Sequence, residues 1–217
     1  MPKAKPNLFQ YELELADRGI TRIAGVDEAG RGPLAGPVFA AAVIFPVEWI
    51  RNGLPSPLDS INDSKKLTHN QREMLFQALL EHPEISYGIA SVDAEEIDRI
   101  NILKATHRAM NLALQKLQPS PQHVLVDGLR VASIQQPNTP IVKGDGLSYS
   151  IGAASILAKV SRDRLMLEMD SLYPGYGFAE HKGYGTPAHL AAILKLGPCP
   201  IHRKSFAPIR PVQGTLL

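Results

Sequence analysis

The sequence predicts an α/β protein built on a mixed β-sheet. Short apolar runs with strand character alternate with helical segments that carry recognisable caps. The first two strand candidates follow one another across a glycine-rich turn, which allows an antiparallel start. Later strands are separated by helices, which suits parallel pairing.

Thr21 to Val26 reads as a short strand ending at Asp27 and Glu28, followed by the turn GRGPLAGP, Gly30 to Pro37. Val38 to Phe45 (VFAAAVIF) is continuously apolar, the pattern of a strand buried on both faces. Pro46 to Asn62 contains Pro46, Gly53, Pro55 and Pro57 and reads as a loop. Thr68 and Gln71 have capping-box spacing, so a helix is expected from there to about Glu81. Ile85 to Val92 is the next strand candidate, and Asp93 with Glu96 makes a second capping box. Asn101 can cap a third helix, in which Leu103, Met110, Leu114 and Leu117 recur at helical spacing and which must end before Pro119. Val124 to Val126 is a short strand ending at Asp127, and Ile141 to Lys143 another, ending at Gly144 and Asp145. Ser150 to Leu172 reads as a long helix. Thr186 and Pro187 are a cap and a first-turn proline, and Gly197 closes that last helix.

At 217 residues, 44% hydrophobic and 20% charged, the chain can bury a sizeable core, with no internal repeat or low-complexity segment. A net charge of +2 is too mild to point to nucleic acid on its own. The single cysteine, Cys199, excludes an intramolecular disulfide and any multi-cysteine zinc site, and reads as a small buried apolar side chain. No stretch reads as a signal peptide or a membrane span, so a cytoplasmic, monomeric protein is expected.

Asp27, Asp127 and Asp145 each follow a short apolar strand and sit beside or just before a glycine. Functional residues of α/β sheets gather where strands end. Carboxylates brought together there suit hard cations such as Mg²⁺, which also relieve their mutual repulsion. Glu28 fits less easily: neighbouring side chains on a strand face opposite sides, so both acids reach one site only if the strand ends and the chain turns. Taken singly, each aspartate serves equally well as a turn or cap residue. Spacing alone therefore marks a candidate metal site and no more.

Longer matches narrow the reading. The stretch GVDEAGRGPLAGPV, Gly25 to Val38, is followed by NDSKKL at Asn62 to Leu67, EIDRINILKAT at Glu96 to Thr106 and VDG at Val126 to Gly128. KGD at Lys143 to Asp145, AASILAKVSRD at Ala153 to Asp163, YGFAEHKGYGTPAH at Tyr176 to His189 and RKSF at Arg203 to Phe206 continue the series. In this order the motifs resemble those of the type 2 ribonucleases H (ribonuclease HII). The resemblance implies an RNase H-like five-stranded mixed sheet flanked by helices. It divides the chain into an N-terminal segment 1–20, a catalytic domain 21–172 and a C-terminal helical extension and tail 173–217.

It also implies an endoribonuclease that hydrolyses the RNA strand of RNA–DNA hybrids. Such an enzyme would cut 5′ to single ribonucleotides in duplex DNA with two Mg²⁺ or Mn²⁺ ions, leaving 3′-hydroxyl and 5′-phosphate ends. Asp27, Glu28, Asp127 and Asp145 match the four catalytic, metal-binding carboxylates. Gly30, Arg31 and Gly32 match the turn that senses the ribonucleotide 2′-hydroxyl, and Tyr184 the tyrosine beside that sugar. Ser64 and Lys65 match a segment that contacts the nucleic-acid backbone. Asp163 is expected to support the structure; an acid behind the metal site and a partner of Arg162 or Arg164 are its two alternative readings. His181 is expected to order the Tyr184 loop.

Ribonuclease HIII-type enzymes carry an added N-terminal domain and lack the arginine seen here at Arg31, and type 1 enzymes arrange their motifs differently. A nucleotide-binding oxidoreductase fits poorly, because the glycine spacing is G-x-G-x-x-x-G and Asp27-Glu28 would oppose a pyrophosphate. The terminal residues Gln213-Gly214-Thr215-Leu216-Leu217 resemble the glutamine-plus-leucine peptide that docks bacterial repair proteins on the sliding clamp, although so short a match is more simply a plain tail.

Overall fold

A computed structural model describes residues 7–62, 64 and 66–209. In chain order the elements are α1 (Gln10–Ala16), β1 (Ile23–Ala29), β2 (Val38–Ile44), α2 (Val47–Asn52), α3 (His69–Glu81), β3 (Ser86–Val92), α4 (Ala94–Ile100) and α5 (Ile102–Gln115). Then follow β4 (His123–Asp127), β5 (Asn138–Ile141), α6 (Tyr149–Leu172), α7 (Phe178–His181) and α8 (Pro187–Leu196). The five strands form one sheet in the order β3-β2-β1-β4-β5. β1–β2 and β2–β3 are antiparallel, and β1–β4 and β4–β5 are parallel, so the sheet is mixed as expected.

Strand alternation divides the core. Ile23, Ala41, Val43 and Leu125 face α3 and α6, whereas Ala24, Val26, Ala40 and Ala42 face α5. The small residues of β2 let helices approach from both sides, which is why its sequence shows no polar face. Gly25 lies on the α6 side, where a Cβ would stand 2.2 Å from the Ser150 carbonyl carbon. The first turn of α6 therefore rests directly on the β1 backbone.

Helix α1, which has no counterpart in the sequence reading, locks that turn from outside. Phe9 packs on Phe45 and Tyr149, and the buried Glu12 accepts from Ser148 Oγ at 2.6 Å and from the Ser150 amide at 3.2 Å. Burial pushes the Glu12 carboxyl up from its ordinary range.

Several boundaries differ from expectation. β1 continues through Asp27 and Glu28 to Ala29, because β2 keeps pairing with it there. A helix, α2, and a 3-10 turn at Leu58–Ser60 occupy the expected loop; Pro46 and Pro55 bracket the helix rather than interrupt it. β5 ends at Ile141 rather than Lys143, whose φ of 59° turns the chain into a 3-10 turn at Gly144–Gly146 that carries Asp145. Pro140 is tolerated because β5 is an edge strand. The buried face of α5 runs through Ala105, Ala109, Met110, Ala113 and Leu114; Leu103 is exposed, and Leu117 is buried beyond the helix end. The capping box at Thr68 is complete, but at Asp93 only half is made, because the Glu96 carboxylate turns to Arg99 and Arg108. Among the described residues, no helix is long and apolar enough to cross a membrane.

Helices α7 and α8 form the expected C-terminal extension, with Tyr176, Phe178 and Cys199 packed against Ala35 and Met166. Three imidazoles share this cluster: His181 stacks on His189 at 4.4 Å, and His189 Nε2 lies 3.1 Å from His202 Nε2.

Two outcomes follow from this packing. Gly25→Ala should cost about 1–3 kcal/mol or more in urea denaturation, since α6 must lift from the sheet. Burial, with the neighbouring His189, lowers the His202 pKa from 6.5 to about 4. The unfolded chain therefore takes up this proton first as pH falls, and stability should decline from pH 6.5 towards 4, by at most about 3 kcal/mol. Thermal melts across that range should show a shallower decline for His202→Gln.

Candidate active site

Parallel strands β1 and β4 pair as far as Val26 with Val126, so Asp27 and Asp127 are the next residues on the two neighbouring strands, and Asp127 ends β4. Beyond that point the β4 side of β1 is unpaired. Asp27 follows Gly25 on the α6 face and Glu28 follows Val26 on the α5 face, yet both border the opening left where β4 stops. This resolves the difficulty with Glu28: the pairing partner ends, whereas the strand does not. The opening is a cleft of about 490 Å³ lined by Asp27, Glu28, Asp127, Gly30, Arg31, Gly32, Ser64 and Tyr184, together with Arg72, Ser155, Lys159 and Arg162.

Asp145 does not line this cleft. It is buried in the adjacent 3-10 turn, which docks on the site when the Gly144 amide donates to Asp127 Oδ1 at 2.6 Å. Gly144 permits this approach, since a Cβ there would meet Ile151 at 2.6 Å and Asp127 Oδ1 at 3.3 Å.

The cleft concentrates negative charge where water is scarce. Burial, and then the charges of Glu28 and Asp127, hold the Asp27 carboxyl well above the usual carboxylate range. Ser155 and the Glu28 amide, the latter at 2.7 Å, oppose that rise by donating to it. Burial also raises Glu28, against the stabilising Arg31 guanidinium 3.2 Å away. Among the described residues, no three His, Cys, Asp or Glu side chains are already drawn into a coordination sphere. The donor chemistry nevertheless fits a hard divalent cation: all-oxygen ligands whose crowding a cation would relieve.

Opposite the carboxylates, the turn from Gly30 to Pro37 is held by two buried arginines. Arg203 donates to the carbonyls of Gly30 at 2.5 Å, Arg31 at 2.9 Å and Gly36 at 3.0 Å. Arg162 donates to Ala35 at 3.0 Å and Pro37 at 3.1 Å. Gly30 has φ of 93°, and a Cβ there would lie 2.1 Å from Arg162 Nε. Burial and the neighbouring Arg162 charge lower Arg203 to about 9, which leaves it cationic at neutral pH. The Tyr184 loop is fastened to the same turn by the Leu34 amide donating to Gly183 at 2.8 Å. Tyr184 is no core aromatic: it is 47% exposed, its ring beside Gly32 and about 6.0 Å from the Arg162 guanidinium.

The Ser64 hydroxyl is buried and 3.0 Å from Ser155 Oγ, and Arg72 secures its segment by donating to the Ser64 and Leu67 carbonyls. Lys65 lies outside the described residues. Asp163 pairs with Lys159 at 2.6 Å rather than with Arg162, which serves the turn, or Arg164, which pairs with Glu73. His181 does order the Tyr184 loop, accepting from the Gly183 amide at 3.2 Å while its carbonyl accepts from the Tyr184 amide at 2.9 Å. Ser155, Lys159, Arg162, Arg72 and Arg203 escaped the sequence reading as site residues. Their signal was present in part, because Ser155, Lys159 and Arg162 recur on one face of α6 at helical spacing.

Arg203→Lys should destabilise the protein by roughly 2–4 kcal/mol, since one ammonium cannot replace a fork that satisfies three buried carbonyls. The measurement is thermal unfolding of the variant beside Arg203→Met, which should be at least as unstable.

The sequence model of the family described as Ribonuclease HII matches residues 24–209. Ribonuclease HII of Ruminiclostridium cellulolyticum is 55% identical over 92% of this chain and 75% of its own length. That of Geobacter sulfurreducens is 51% identical over 97% and 93%. The crystal structure of ribonuclease H2 from Pyrococcus horikoshii OT3 superposes with a TM-score of 0.68 at 28% identity, covering 87% of this chain and 95% of that one. Two more distant structures share the fold. The PCNA:RNase HII complex from Archaeoglobus fulgidus has a TM-score of 0.68 at 23% identity, covering 90% and 98%. Bst-RNase HIII in complex with Mn²⁺ has a TM-score of 0.64 at 19% identity, covering 96% and 72%. Matched from the first residues of β1 to the end of the described chain, the protein belongs to the ribonuclease HII family, divalent-metal-dependent hydrolases that act on RNA–DNA hybrids.

Proposed function

We propose that this chain cuts on the 5′ side of a ribonucleotide, both in RNA–DNA hybrids and at single ribonucleotides in duplex DNA, leaving 3′-hydroxyl and 5′-phosphate ends. The observation that carries this reading is the shared cleft. Asp27 and Asp127 stand side by side on neighbouring strands where β4 stops, and the Gly30–Gly32 turn borders the same cleft. Asp27, Glu28 and Asp127 would hold two Mg²⁺ or Mn²⁺ ions, with Asp145 as a fourth ligand brought near by the Gly144 bond to Asp127. When bound, the ions supply positive charge at the scissile phosphate and acidify water for in-line attack.

The chain's own residues would select the substrate. A 2′-hydroxyl both donates and accepts, and it is the group that separates RNA from DNA. Exposed backbone of Gly30, Arg31 and Gly32 can meet it, while Arg162 and Arg203 keep that backbone from yielding to a deoxyribose. The Tyr184 ring, half exposed beside Gly32, would pack against the adjoining sugar. Lys159 and the segment Ser64–Lys65 would lie along the phosphate backbone. The catalytic domain 21–172 would thus supply the carboxylates and the extension 173–217 the aromatic contact. The tail Gln213–Leu217, outside the described residues, is proposed to dock on a sliding clamp; the Archaeoglobus fulgidus protein of the same fold was solved in complex with PCNA.

The test is cleavage of a labelled DNA duplex carrying one ribonucleotide, with Mg²⁺, with Mn²⁺ and with chelator. A single metal-dependent cut 5′ to the ribonucleotide is expected. Asp27→Asn should lose more than the roughly 10–100-fold typical of outer-sphere changes. Binding without any cut under either metal would instead make the protein a hybrid-binding module.

A further inference from the structure

Tyr184 is held by a route that begins away from the cleft. Its carbonyl lies 2.9 Å from His189 Nδ1, His189 Nε2 lies 3.1 Å from His202 Nε2, and His202 Nδ1 receives the Cys199 amide at 2.9 Å. Both imidazoles are buried, at 0% and 1% exposure.

The hydrogen positions follow in sequence. A backbone amide can only donate, so His202 Nδ1 is the acceptor and its proton sits on Nε2. That Nε2–H points at His189 Nε2, which must accept and so leaves the His189 proton on Nδ1, aimed at the Tyr184 carbonyl. The Cys199 carbonyl at 3.3 Å from His202 Nδ1 is the longer contact and does not reverse the order. The titratable groups facing the pair are His181, stacked on His189, Tyr176, 5.1 Å from the His202 ring, and the Cys199 thiol, 3.1 Å from His202 Nδ1.

We propose that His189 and His202 are positioning residues: a relay of two neutral imidazoles of fixed tautomer that sets the Tyr184 backbone, and with it the angle at which the ring meets the substrate. The functional consequence rests on the reading of Tyr184 as a substrate contact, and the relay itself rests only on the hydrogen-bond geometry.

Two measurements separate these. Nitrogen-15 NMR of the labelled full-length protein at neutral pH should show His189 protonated at Nδ1, the form free imidazole disfavours, and His202 at Nε2. An Nε2–H form at His189 overturns the relay whatever the kinetics. Steady-state cleavage of the single-ribonucleotide duplex supplies the second. His189→Leu should raise KM roughly tenfold, the equivalent of one lost buried hydrogen bond, with little change in kcat. His189→Asn, whose side-chain amide occupies the Nδ1 position, should recover most of that loss, which a packing role would not predict. On a Tyr184→Ala background the His189→Leu effect should vanish. Equal losses for Leu and Asn, or an undiminished effect on the Tyr184→Ala background, overturn the positioning role. A wild-type KM for Tyr184→Ala alone removes the ring from the substrate site, and is read separately from the tautomers.

Discussion

The structure depends on how closely α6 lies against β1. At Gly25 a strand and a helix meet backbone to backbone, with no side chain between them. That contact sets the height of α6 above the sheet. Further along the same helix, Ser155 reaches Asp27 and Arg162 reaches the turn after β1. A residue larger than hydrogen at Gly25 would displace the whole row. The buried Glu12 of α1 reinforces the arrangement by binding Ser148 and Ser150 at the start of that helix.

The cleft sets two electrostatic problems side by side and solves them differently. Carboxylates crowd on one wall and raise one another's pKa, a conflict that a cation can settle. On the other wall, Arg162 and Arg203 are buried cations that donate to the carbonyl oxygens of the turn. Peptide dipoles spread their charge without neutralising it, so the turn they hold stays both rigid and positive. A carboxylate in place of those carbonyls would have satisfied the arginines and left the turn unsupported.

Much of this was legible in the sequence. The unbroken apolar run of β2 announced a strand buried on both faces, and Thr68, Thr186 and Gly197 marked helix ends correctly. Local patterning placed Asp127 correctly at a strand end, whereas Asp27 lies two residues inside β1 and Asp145 in a turn beyond β5. What escaped depended on partners distant in the chain. Glu28 could not be placed because the relevant fact is where β4 stops, not where β1 does. Arg203 looked like any charged residue near a terminus, since nothing local announces that its partners are the carbonyls of Gly30, Arg31 and Gly36. Asp163 has the structural role expected of it, but its partner is Lys159, four positions earlier on the same helix face, and neither adjacent arginine.

The span between Gly30 and Arg203 also bears on how the protein is made. The bond joining them bridges 173 positions, and the Gly36 bond from the same guanidinium bridges 167. During synthesis the turn therefore emerges from the ribosome long before the donors that hold it. The sheet and α6 can consolidate first, with Arg162 holding Ala35 and Pro37, but the carbonyls of Gly30, Arg31 and Gly36 wait for Arg203. The acidic wall of the cleft is thus encoded early in the chain, and the last donors to the facing wall come near its end.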